Sequence, residues 1–123
     1  MFNILLPTDF SDNAQRAIDY TVYLLENEAC TFYLLNAYYI APSAPGTISD
    51  SGHNLGELQR KLEATKNLQH TFERVLITDT ALSAIEKTIT DNEIHYVFMG
   101  TKGFSAVREI FIGSVTVSVI KHI

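Results

Sequence analysis

The chain has no tryptophan, one cysteine, three prolines and six glycines in 123 residues. It is also short of positive charge, with nine Lys and Arg against fourteen Asp and Glu. One thiol, Cys30, can form no disulfide within the chain and no cysteine-rich metal centre, so it reads as a small buried apolar residue. A formal net charge of -5 and a pI near 5.2 argue against a nucleic-acid or anionic-membrane surface, because such binding needs clustered cations. No apolar run approaches the roughly 18 residues of a membrane span, and Met1 to Leu6 carries no cationic leader. The expected location is the cytoplasm. With 46% hydrophobic and only 19% charged residues, no disordered class fits, and the length suits one domain over residues 1–123.

Within that frame, apolar runs alternate with amphipathic stretches. Phe2 to Pro7 is apolar without alternation, the pattern of a strand covered on both faces, and Thr8-Asp9-Phe10-Ser11-Asp12 supplies turn and N-cap chemistry. Ala14, Ala17, Ile18, Thr21, Val22 and Leu25 then recur at three- and four-residue intervals, predicting a helix that ends near Asn27. Thr31 to Tyr39 reads as a second strand. The stretch from Ala41 to Asn54 holds Pro42, Pro45, Gly46, Gly52 and several serines and reads as a long flexible loop. Leu55, Leu58, Leu62 and Leu68 predict a second helix, and Glu73 to Thr78 a third strand. Asp79-Thr80 caps a helix with Ala81, Leu82, Ile85 and Ile89 on one side, and Ile94 to Met99 is a fourth strand. Strands alternating with helices specify βαβ units and a doubly wound parallel α/β sheet.

The stretch beginning at Met99 carries the chemistry. Gly100 and Gly103, then Gly113 and Ser114 nine residues on, follow directly after the fourth strand. Glycine lets backbone approach a phosphate within hydrogen-bond distance, and a helix opening at Gly113-Ser114 points unpaired N–H groups and a positive dipole end at an anion. In doubly wound sheets ligands bind beyond the carboxyl ends of the strands, where the strand order reverses. Asp9 and the Gly100 series both sit at such ends, and in the order 3-2-1-4 they converge on one crevice.

This combination resembles the universal stress protein family, in its ATP-binding branch, from Ile4-Leu5-Leu6-Pro7-Thr8-Asp9 and Ser11 through to Gly113-Ser114-Val115-Thr116. The resemblance implies a Rossmann-like sheet. It implies that Gly100, Gly103, Gly113 and Ser114 line the ribose and phosphates, with Val115 and Thr116 beginning the helix beneath them. Pro7 and Asp9 would flank the adenosine end, and the main chain at Asn36-Ala37 would bond adenine. The ligand is expected to be ATP, or ADP or AMP, with Mg2+; Asp9 suits a sugar hydroxyl or an amino group better than a triphosphate, which it would repel without an intervening cation. Family members usually continue into a fifth strand beside strand 4 that often forms a dimer contact, whereas this sequence stops at Ile123. That strand is expected to be missing and strand 4 to be an open edge. The chain would then be C-terminally truncated or the N-terminal part of a longer, tandem protein, or a homodimer.

Other readings attach to the same residues. Asp9, Asp79 and Thr101 follow strands as in a phosphorylation receiver, but Lys102 abuts Thr101 and the glycine series would go unexplained. A nucleotide-free dimerisation module of the same fold is the alternative. Lys102 reaches a phosphate or is a solvated loop lysine. Phe104 to Ile112 is apolar enough to pack as core between the two halves of the cradle. His53, His70, His95 and His122 lack metal-ligand spacing and read as surface or cap residues. No catalytic set is identifiable, so enzymatic activity is at most slow ATP hydrolysis.

Overall fold

The computed structural model of the chain describes residues 1–37, 48–99 and 111–112. The elements run β1 (Phe2–Pro7), α1 (Asp12–Leu24), β2 (Cys30–Ala37), α2 (Ile48–Glu63), β3 (His70–Ile77), α3 (Ala81–Asn92), β4 (Tyr96–Val97) and β5 (Phe111–Ile112). One sheet takes the order β3-β2-β1-β4-β5, with the first four strands parallel and β5 antiparallel to β4. The α/β class and the 3-2-1-4 order are those expected.

Both faces of the sheet are covered, which is why β1 shows no alternation in sequence. Ile4 and Leu6 join Ile18 of α1, Phe32 and Leu34 of β2, and Leu55, Leu58 and Leu62 of α2 in one core cluster. Leu5, between them, points the other way and packs with Leu35, Val97 and the α3 residues Ala84, Ile85 and Ile89. This is the period-two geometry of a strand read on two faces. Cys30 is fully buried in the first cluster, and burial pushes its thiol pKa up, with the Glu28 charge adding to the shift.

Local chemistry sets the helix ends. Ser11 caps α1 by accepting the Ala14 N–H at 3.1 Å, and Thr80 caps α3 by accepting the Ser83 N–H at 3.3 Å. α3 ends at Glu93 in the left-handed conformation, a position that usually takes glycine. α1 ends at Leu24, three residues before the expected Asn27, with Leu25 as its C-cap.

Several expectations fail for identifiable reasons. α2 starts at Ile48, so the second half of the expected loop is helix; residues 38–47 lie outside the described residues. Gly52 is not loop punctuation but a helix residue with room around it, and Gly56 is where α2 passes close to β3. A Cβ at Gly56 would meet Arg74 Nη1 at 3.3 Å, and one at Gly52 would meet Leu76 Cδ2 at 4.0 Å. The buried Leu55, Leu58 and Leu62 outweigh the weak helix propensity of glycine. Leu68 falls beyond the helix, in a turn where Lys66 is left-handed and Asn67 Oδ1 accepts the Gln69 N–H, and its side chain is fully exposed. Leu82 is also exposed, the buried face of α3 being Ala84, Ile85, Thr88 and Ile89. β3 begins at His70, three residues earlier than expected.

β4 is shorter than expected, and its outer edge is not the open one expected. Instead Tyr96 pairs with Ile112 and Val97 with Phe111, so the chain supplies its own short antiparallel rung to backbone groups that would be unpaired. On the inner side the ladder with β1 is two pairs long, and just ahead of it His95 Nδ1, rather than a backbone carbonyl, accepts the Asn3 N–H at 2.8 Å. Flanking bonds from His95 N–H to Asn3 O and from Phe98 N–H to Leu5 O keep the strand in place.

Candidate functional site

The carboxyl ends of β1 and β2 enclose a cavity of about 80 Å3 lined by Pro7, Thr8, Asp9, Leu35, Asn36, Ala37 and Ile85. It lies at the carboxyl ends of the strands, where doubly wound sheets bind ligands, on the β2 side of β1; the strand order reverses on the other side, between β1 and β4. Pro7 and Thr8 are buried, whereas the Asp9 side chain is exposed at the rim.

The loop that carries Asp9 is held by its own hydrogen bonds. Thr8 N–H donates to Leu35 O at 2.8 Å, continuing the β1–β2 ladder past the last strand residue. Asn36, itself buried, donates its side-chain Nδ2–H to Thr8 O at 2.9 Å. Phe10 N–H donates to Thr8 Oγ1 and Ser11 N–H to Asp9 Oδ1, each at 2.9 Å. Phe10 has φ 66, a left-handed conformation that costs a bulky residue energy, and its ring packs against the core cluster below. The strained residue sits directly after Asp9, between two anchored neighbours, so the carboxylate is presented in one orientation.

Asp9 is therefore an acceptor with one oxygen fixed by the loop. Asp9 and Asp12, both exposed, flank the N-terminus of α1 and make it a poor phosphate site despite its dipole. What suits this end of the cavity is a ligand bearing hydroxyl or amino donors, and the negative part of such a ligand belongs elsewhere.

Three of the expected binding residues, Pro7, Asp9 and Ala37, line this one cavity. Met99 is half-buried at the end of the β4 segment and packs against the same core cluster as Ala37. Gly100, Gly103, Gly113, Ser114, Val115 and Thr116, with Thr101 and Lys102, lie outside the described residues. The Asn36 amide was missed as a side chain, only its main chain having been singled out. Its signal was an amide in the otherwise apolar run Leu34-Leu35-Asn36-Ala37. Among the described residues no group of three or more His, Cys, Asp or Glu side chains is placed to hold a metal. His70 is a buried cap, its Nε2–H donating to Leu25 O at 2.8 Å at the end of α1, and His53 lies 3.9 Å from Glu57 on the surface of α2.

A parallel sheet in this order, with helices on both faces, defines a doubly wound, Rossmann-like α/β domain. The chain belongs to the universal stress protein family, which it matches over residues 1–123. No curated protein matches it. Among solved structures it is similar to the universal stress protein UspA from Lactobacillus plantarum, at 20% identity and a TM-score of 0.62, covering 93% of this chain and 86% of that one. It is also similar to hypothetical protein MJ0577, at 25% identity and a TM-score of 0.57 over 93% and 84% of the two chains. A universal stress protein solved in complex with cAMP superimposes with a TM-score of 0.61 at 15% identity over 85% and 79%. Among the described residues, no helix is long and apolar enough to cross a membrane.

Proposed function

We propose that this chain binds an adenine nucleotide and acts as a regulatory, stress-response domain. The observation that carries the reading is the cavity at the ends of β1 and β2, with the fixed, exposed Asp9 carboxylate at its rim and the small Ala37 in its wall. Asp9 accepts from a ribose hydroxyl or the adenine amino group, and the main chain at Asn36 and Ala37 bonds the base. We assign the phosphates of ATP, ADP or AMP to Gly100, Gly103, Gly113 and Ser114, together with Met99, Val115 and Thr116. When bound, Mg2+ screens the phosphates from Asp9. The cAMP complex of a similarly folded family member supports the nucleotide class.

The small volume of the Asp9 cavity favours the second reading, a nucleotide-free interaction module, to the extent that residues outside the cavity fail to complete the site. Isothermal titration of the purified chain with ATP, AMP and cAMP, with and without Mg2+, separates the two. Saturable binding that Gly113→Val abolishes and Asp9→Ala weakens is the expected result. No heat from any of the three at millimolar concentration would overturn the proposal.

A further inference from the structure

A second hollow, of about 210 Å3, opens on the sheet face that carries α1, where the end of that helix meets the β1–β4 join. Phe2 and Ile4 of β1, Leu25 and Glu28 after α1, and Tyr96 and Phe98 at β4 line it. Its floor is aromatic and preformed. The Phe2 and Tyr96 rings meet edge-on at 5.7 Å between centres, and the Tyr96 and Phe98 rings lie 6.4 Å apart. Phe2, Leu25, Tyr96 and Phe98 pack against the first core cluster yet stay only half-buried, so the apolar core runs out to a face that α1 and α2 leave uncovered.

The chain itself brings one occupant to this face. Tyr96, on the floor, pairs with Ile112, so residue 113 leaves the sheet at the rim of the hollow. The eleven residues 113–123, outside the described residues, are tethered there at an effective concentration on the order of millimolar, which a second copy or a partner matches only when it is that abundant. Their chemistry suits the floor. They include Val115, Val117, Val119, Ile120 and Ile123 and neither Asp nor Glu. Val115, Val119 and Ile123 recur every four residues, the spacing of one face of a helix opening at Gly113-Ser114. A helix that short is marginal alone and needs an apolar surface to lie on.

We propose that residues 113–123 of this chain seat as a helix over this hollow, with Val115, Val119 and Ile123 directed at Phe2, Tyr96 and Phe98. The lengths agree. Eleven helical residues span about 16 Å, and in the register Ile4↔Tyr96 the floor from the level of Phe2 to that of Phe98 is four strand residues, or about 13 Å. α1 supplies a side wall. Val22 lines a common hollow with Leu62 of α2 on one side of α1. Leu24, about 200° further round the helix, is 52% exposed on the other side, next to Leu25. Seating of the segment requires no nucleotide.

The test is NMR on the intact 123-residue chain. NOEs are expected from the methyl groups of Val115, Val119 and Ile123 to the ring protons of Phe2, Tyr96 and Phe98. An isotope-filtered spectrum of an equal mixture of labelled and unlabelled chain should contain none of them, because the contacts lie within one molecule. Val119→Lys should abolish them while the amide shifts of β2 and β3 stay in place, and Val117→Lys, on the opposite side of the helix, should leave them intact. Should Val119→Lys unfold, the wild-type NOEs alone decide. The proposal is overturned if residues 113–123 give no NOE to the three rings, if Val119→Lys keeps those NOEs, or if Val117→Lys loses them equally. Their appearance in the filtered spectrum would also overturn it, making a second copy the occupant.

Discussion

β1 is joined to its two neighbours in different ways. On the β2 side six residue pairs run without interruption from Phe2↔Cys30 to Pro7↔Leu35, and β2 continues into eight pairs with β3. On the β4 side only Ile4↔Tyr96 and Leu5↔Val97 pair, and side chains complete the join: His95 Nδ1 accepts the Asn3 N–H, and Asn3 Nδ2–H donates to Asn92 O and Glu93 O. The first join is held by a long ladder over a hydrophobic layer, the second by a few specific hydrogen bonds. Damage to the first is expected to unfold the domain, whereas damage to the second should loosen it locally. Asp9 belongs to the first join, since its loop is tied to Leu35 and Asn36 of β2.

The sharpest way to break the comparison is Phe32→Ala. Phe32 is fully buried, stacked on Phe72 at 5.3 Å and edge-on to His70 at 4.8 Å between ring centres. Its loss should cost about 3–5 kcal/mol of global stability in urea denaturation. A change below 1 kcal/mol would mean that the long ladder does not dominate.

His95→Ala removes the acceptor for the Asn3 N–H on the weaker side and should cost about 1–3 kcal/mol. Hydrogen exchange should show the loss at Asn3, Tyr96 and Val97 while β2 and β3 keep their protection. Uniformly faster exchange would show that the two joins open as one unit.

A third probe uses pH. Burial raises the folded-state pKa of Cys30, so above about pH 8.5 the unfolded chain releases a thiol proton that the folded chain retains. Unfolding then becomes easier as pH rises, by up to about 1.4 kcal/mol per pH unit until the folded thiol itself ionises. Below the unfolded pKa the contribution is complete and flat. Cys30→Ala should remove this component of the alkaline slope in denaturant titrations at pH 8 to 10; an unchanged slope would place its origin elsewhere.

The smallest effect is Gly52→Ala. With no atom nearer than 4.0 Å to the added methyl, the substitution should raise stability by about 0.5–1 kcal/mol through helix propensity, read as a shift of the urea midpoint. A loss would mean that α2 and β3 pack more closely than that space allows.

The same contrast governs how much could be read from residues alone. The non-alternating β1, the Ser11 and Thr80 caps and the buried Cys30 follow from local chemistry, which sequence displays directly. The start of α2 did not, because Gly52 among prolines and serines reads as loop, and only the packing of this segment on the sheet shows it to be helix. The β5 rung and the imidazole acceptor of His95 depend on residues far apart in the chain and carry no local pattern. At the site, Asp9 was legible at the end of a strand, and Pro7 and Ala37 only through the family resemblance. The Asn36 clamp and the left-handed Phe10 that aim Asp9 were not, since each is a consequence of two strands lying side by side.

The central claim is that the crevice between Asp9 and Ala37 takes the nucleoside end of a nucleotide. Intermolecular NOEs in the chain saturated with AMP test it most directly. The account predicts contacts from adenine or ribose protons to the Ala37 methyl and to Ile85, with the Asp9 and Ser11 amides shifting as the site fills. A saturated complex whose nucleoside protons touch neither Ala37 nor Ile85 would contradict it.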